Sequence, residues 1–112
     1  MKKLEVIIRP DVFDPVRDAL AEVGVHGMNY CEIRGCGRQR GHTEVYRGST
    51  MRVDFLPKLR LEVVVHDEAV EKVLNVIIKT ARTGNVGDGK IFISDVLDAV
   101  RIRTGERGNE AL

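Results

Sequence analysis

The run Thr83-Gly84-Asn85-Val86-Gly87-Asp88-Gly89-Lys90 holds the residue types of an anion site. Gly84 and the Gly89-Lys90 pair match the spacing of a phosphate-cradling loop, G-x-x-x-x-G-K. A glycine-rich turn can aim backbone N–H groups at phosphate oxygens, and the lysine adds a point charge. Two features separate this run from a nucleotide hydrolase. Ile91 stands where a serine or threonine would hold a metal. The order is also reversed: an apolar-periodic helix precedes the loop and a strand follows, whereas a P-loop runs from strand to helix.

Other residues extend the anion chemistry. Arg101 and Arg103 are two apart in a stretch, 99–104, that reads as extended, so they share one face while Val100 and Ile102 take the other. Guanidinium groups match phosphate oxygens in a fork. Gly35-Cys36-Gly37 is a second glycine turn leading into Arg38 and Gln39; this G-x-G alone is a weak signal. Glu62, on the face opposite Leu61 and Val63, either pairs with a surface lysine or accepts from ribose hydroxyls, and spacing leaves both open. No nucleophile, base and orienting group come together. His26, His42 and His66 are dispersed, and Ser49 and Ser94 have no evident partner. A slow ATPase or phosphotransferase would have only Asp88 or Asp54 as a base, so the chain reads as a binder rather than an enzyme.

The elements that must position these groups follow from periodicity. Residues 2–9 alternate Leu4, Val6 and Ile8 against Glu5 and Arg9, a strand that Pro10 and Asp11 end. Over 12–23, Val12, Val16, Ala19, Leu20 and Val23 share a helical face, with Pro15 in the first turn and Gly24 as the stop. Residues 27–36 and 58–65 read as strands. Asp67 is the expected cap of a helix carrying Val70, Val73, Leu74, Ile77, Ile78 and Ala81 on one side. A strand over 90–94 follows. The order β-α-β, β-α-β predicts a ferredoxin-like α+β sandwich, with two helices on one face of a four-stranded antiparallel sheet. Ile7-Ile8, Val63-Val64-Val65 and Ile91-Phe92-Ile93 are apolar on both strand faces, so the uncovered face should pack on another subunit.

Between strands two and three, about 37–55 shows no periodicity, longer than most loops of compact domains. Five arginines (Arg34, Arg38, Arg40, Arg47, Arg52) face one glutamate, Glu44, across 34–52, a charged arm suited to docking. An RNA-binding arm is the rival reading, but Tyr46 alone is available there for stacking. The 112 residues make one expected domain, 1–112, and a net charge of +1 gives no general attraction to nucleic acid or membrane. No window approaches a membrane span, and Glu5 and Arg9 break up any secretory signal after Lys2 and Lys3. Cys31 and Cys36 fall on opposite strand faces, about 16 Å apart, too far to pair. Two free thiols suit a reducing cytoplasm. So few Cys and His make a weak case for a metal centre.

Taken together, Tyr46-Arg47-Gly48, Val53-Asp54-Phe55-Leu56-Pro57-Lys58, Leu61-Glu62, the loop 83–92 and Arg101-Ile102-Arg103-Thr104-Gly105 closely resemble the two signatures of the P-II nitrogen regulatory proteins. The opening Met1–Pro10 and the helix end Ala21-Glu22-Val23-Gly24 fit as well, and the resemblance covers the whole chain. It implies a homotrimer with a nucleotide in each of three clefts between subunits. ATP and ADP would compete there, and 2-oxoglutarate would bind beside ATP through Mg2+. A T-loop, about 37–55, would dock on targets such as an ammonium channel or nitrogen-metabolism enzymes, which allows membrane association only through a channel. A C-terminal loop would span about 102–112.

Carried over residue by residue, the resemblance puts polyphosphate contacts on Arg38, Gly87, Gly89, Lys90, Arg101 and Arg103. The ribose role falls on Glu62, and the Val64 backbone faces adenine. Gln39 would hold Mg2+ and 2-oxoglutarate, and Lys58 would pair with the effector's distal carboxylate. Ile7, Asn29, Gly35, Cys36, Gly37, Val63 and Asp88 complete the implied nucleotide set. Three positions depart from the pattern. Asn29 replaces a frequent threonine and Cys36 a common aromatic. Met51 stands where many relatives carry a nucleotidylated tyrosine; it has no hydroxyl, so that modification is impossible. Tyr46 is not the matching tyrosine, and Ser49 matches a position phosphorylated in some relatives.

Overall fold

The computed structural model describes residues 1–36, the strand backbones Thr43–Tyr46 and Ser49–Arg52, and residues 55–112. Strand β1, Lys2–Ile8, buries Leu4, Val6 and Ile8 in strict alternation. A single 3-10 turn, Pro10–Val12, uses the fixed φ of Pro10 and feeds helix α1, Phe13–Glu22. Val16 and Leu20 are its fully buried residues. Gly24, at φ 89, ends the helix as expected. Its N–H bonds Ala21 O at 3.1 Å and the Val25 N–H bonds Leu20 O at 2.9 Å, the Schellman pattern that a left-handed residue permits.

Strand β2 spans Asn29–Gly35, and a short hairpin, β3 Thr43–Tyr46 with β4 Ser49–Arg52, pairs within the stretch that shows no periodicity in sequence. Strand β5, Leu56–Val65, starts two residues before the expected 58. Pro57 is tolerated there because β1 pairs only as far as Leu59, leaving that end of β5 flanked by β2 alone. Helix α2, Val70–Ala81, buries Val73, Ile77 and Ala81, with Ile78 at its rim. Asp67 does not cap it. His66 takes the cap position of a preceding 3-10 turn, and the Asp67 carboxylate instead lies 2.9 Å from the Met1 ammonium. Strand β6 is Lys90–Asp95.

The sheet order is β2-β5-β1-β6, antiparallel throughout. Both helices cover the face that carries Leu4, Val6, Ile8, Leu59, Leu61, Val63 and Val65. This is the expected ferredoxin-like α+β sandwich. The other face carries Ile7, Val64 and Phe92 among Glu5, Arg60 and Glu62. Glu5 and Glu62 sit directly opposite one another. Arg60 Nε lies 4.0 Å from one carboxylate and 3.9 Å from the other, which offsets the like-charge pairing. The segment 99–104 is not an extended strand. Val100 makes one bridge to Arg107, and the chain turns back through Thr104 and Gly105. Arg101 and Arg103 therefore do not share a strand face.

Candidate phosphate-loop site

The register of the sheet decides where the glycine-lysine loop sits. Ile7 pairs with Lys90, so residues 83–89 lie at the end of β1 and beside the start of β5. The close approach is sharpest at Gly89, whose φ is 111. A Cβ there would run into the Ile7 carbonyl oxygen and lie 2.8 Å from the carbonyl carbon. Only glycine lets the loop press its backbone onto β1 in this way.

Asp88 holds the loop from inside. Its carboxylate accepts the Thr83 hydroxyl, the Thr83 N–H at 2.8 Å, the Gly84 N–H at 2.9 Å and Arg9 Nε at 3.4 Å. The Thr83 hydroxyl is the strongest of the influences that draw the Asp88 carboxyl down to about 2, followed by the Thr83 amide, with Gly84 and Arg9 adding to it. This corrects one expectation. The amides at the front of the turn do not point at a ligand, because Asp88 already occupies Thr83 and Gly84.

Arg9 also donates to Val86 O at 2.9 Å, and Lys58 Nζ donates to Gly87 O at 2.7 Å. The loop is thus stitched to the ends of both central strands. Lys58 is buried, and this burial lowers its pKa first, the Arg9 charge second, with Asp88 opposing. Lys90 lies at the start of β6 and is exposed.

These groups line a cavity of about 490 Å³. Ile7, Gly35, Cys36, Lys58, Gly87, Asp88, Gly89 and Lys90, all expected from sequence, border it, joined by Asn85, Val86 and Phe92. A wider cleft of about 730 Å³ between α1 and β2 touches, among the described residues, only Lys58 of the expected set. The donor chemistry of the smaller cavity fits a phosphate: two lysines, a glycine that brings the main chain close, and an acidic residue turned into its own loop.

The description "Nitrogen regulatory protein P-II" matches residues 1–106. The chain is 54% identical to "Nitrogen regulatory protein P-II 1" of Escherichia coli (strain K12) over 112 residues, which is 100% of both chains. It is equally similar, 54% over 112 residues, to "Nitrogen regulatory protein P-II" of Klebsiella oxytoca and of Haemophilus influenzae, again over 100% of each chain.

The chain belongs to the P-II family.

Within this P-II fold the remaining expected residues divide into separate places. Asn29 and Glu62 are register partners on the open sheet face, beside a hollow of about 210 Å³ that Tyr30, Cys31 and Arg60 also line. Glu62 meets Arg60 rather than a surface lysine. Val64 is on the same face. The Val63 side chain points the other way, into the core, so only its backbone can serve a ligand. Arg101 and Arg103 are in the segment after β6 and do not line the 490 Å³ cavity. Gly37, Arg38 and Gln39 lie outside the described residues, as do the side chains of Tyr46, Ser49 and Met51.

Arg9 and Thr83 are parts of the loop's support that sequence reasoning misses. Arg9 reads as the polar end of β1, and only the Ile7–Lys90 register reveals that it faces Asp88. Among the described residues, no helix is long and apolar enough to cross a membrane.

Proposed function

We propose that this P-II chain is a ligand-gated adaptor that reports nitrogen and carbon status, and that it is not an enzyme. The observation that carries this reading is the cavity at the Gly87-Asp88-Gly89-Lys90 loop, where Gly89 seats on Ile7 and Lys58 and Lys90 supply positive charge. In this reading the polyphosphate of ATP or ADP would be held by Gly87, Gly89 and Lys90, with Arg38 from the T-loop. Glu62 would accept from ribose, with Ile7, Asn29, Gly35, Cys36, Gly37, Val63 and Val64 around the nucleoside. Gln39 would hold Mg2+. Lys58 would exchange its bond to Gly87 O for the distal carboxylate of 2-oxoglutarate.

Arg101 and Arg103 would reach this cleft from a neighbouring subunit of a homotrimer. Two features support assembly. Strand β6 is an edge of the sheet with Phe92 and Ile93 about half exposed, and beyond it Leu97 and Ile102 are 99% and 100% exposed. Such side chains on an open edge call for a protein surface.

The T-loop would transmit the state of the site to an ammonium channel or a nitrogen-metabolism enzyme. ATP with 2-oxoglutarate would favour one loop shape and ADP another. A switch of this kind needs a coupling of about 1–3 kcal/mol. Native mass spectrometry tests the architecture. Three nucleotides on a trimer are expected, whereas a monomer that binds ATP as tightly alone would overturn the shared cleft.

A further inference from the structure

The segment after β6 is organised around one carboxylate. Asp98 accepts the Ala99 N–H at 2.8 Å, the Gly108 N–H at 3.1 Å and Arg107 Nε at 2.8 Å, while Arg107 Nη2 makes a further bond to Oδ2. The Gly108 N–H also reaches Ala99 O at 2.9 Å. Inside this closure the Arg101 N–H bonds Glu106 O at 2.9 Å, and the Gly105 N–H bonds Arg101 O at 2.7 Å across a turn that Gly105 makes at φ 76. The Arg101 guanidinium donates from Nη1 to Glu106 Oε1 at 3.0 Å and from Nη2 to Leu112 O at 3.4 Å, which fixes its direction and uses two of its five N–H groups.

Little else holds this small hairpin. Among the described residues its backbone tie to the sheet is the Val96 N–H to Met1 O at 3.1 Å. Its large apolar side chains, Leu97 and Ile102, lie in solvent rather than in the core. A short two-stranded ribbon with no apolar anchor is marginal in water. The Asp98–Arg107 pair, at the mouth of the hairpin, is therefore what selects its shape. The Arg107 side-chain hydrogen bond first, and the Ala99 amide second, hold the Asp98 carboxyl below the usual carboxylate range, as expected for a carboxylate so well supplied with donors.

We propose that Asp98 and Arg107 form a clasp that positions Arg101 and Arg103 for a polyphosphate ligand, with Asp98 as the positioning residue. This rests on the nucleotide-binding reading above. The clasp itself need not touch the ligand. It fixes the backbone on both sides of the turn from which the two arginines project.

The test is titration of ATP and AMP into the intact protein, wild type and variant, with assembly checked by native mass spectrometry. Asp98→Ala and Arg107→Ala should each weaken ATP about tenfold, the effect of one misplaced charge-assisted bond. The double variant should be no weaker than the worse single one, because both break the same pair. Asp98→Asn keeps an acceptor for the Ala99 and Gly108 amides and should fall between. AMP, with fewer phosphate oxygens to lose, should change by about threefold or less on the same scale. A general loosening of the fold would weaken both nucleotides alike, which would overturn the positioning role. Wild-type affinity in Asp98→Asn and Asp98→Ala would also overturn it. A wild-type protein that fails to bind ATP would instead overturn the nucleotide reading on which the clasp depends.

Discussion

Replacing Gly89 by alanine tests the phosphate loop at its most constrained point. Two penalties add there. At φ 111 an L-residue is strained, at a cost of about 1–3 kcal/mol. The new Cβ also overlaps the Ile7 carbonyl, which is main chain in a central strand and cannot rotate away. Forcing atoms into a packed site costs a further ~1–3 kcal/mol. The sum is about 2–6 kcal/mol. Gly84 is the internal control. It shares the loop and has φ 90, but a Cβ there would meet nothing within 4 Å. Gly84→Ala should therefore lose only the conformational part. Urea unfolding of the three proteins at one protein concentration measures the difference. Equal midpoints for Gly84→Ala and Gly89→Ala would refute the seating of the loop on β1, since conformational strain alone would then account for both.

Two further outcomes follow from the same loop. Asp88 titrates at about 2 in the folded chain against an ordinary 3.8, so its contribution is complete above pH 3.8 and is lost as pH falls toward 2. Asp88→Asn should flatten that part of the acid-unfolding curve, and an unchanged curve would mean that the carboxylate does not hold the loop. Lys58→Ala removes a charge-assisted partner of roughly 1.5–3 kcal/mol, so calorimetry should find 2-oxoglutarate weakened by about tenfold or more, with ATP affected less; equal loss of both ligands would contradict a separate effector role.

The parts of the fold governed by local pattern are legible in the sequence. Leu4, Val6 and Ile8, and Val73, Ile77 and Ala81, declare their periods, and Gly24 marks a helix end that the structure bears out. The misreadings share a cause. Val100, Arg101, Ile102 and Arg103 alternate like a strand, yet the closure of Asp98 on Arg107 bends the chain into a turn. Asp67 has the chemistry of a cap, but His66 takes the cap position and the Asp67 carboxylate meets the Met1 ammonium instead. Pro57 hides the start of β5 because its tolerance depends on where β1 ends.

The site shows the same division. Gly87, Gly89, Lys90 and Lys58 were legible and do meet around one cavity. The use of Asp88 against Thr83 and Gly84, and the part played by Arg9, depend on contacts between residues distant in sequence, which spacing alone cannot register.

The central claim is that the effector reads the nucleotide. Isothermal calorimetry of 2-oxoglutarate into the intact protein, with and without ATP and Mg2+, measures that linkage directly. Binding is predicted only when both are present, because Gln39, Mg2+ and the nucleotide would together complete the effector's site beside Lys58. Equal affinity in the absence of nucleotide would contradict the account.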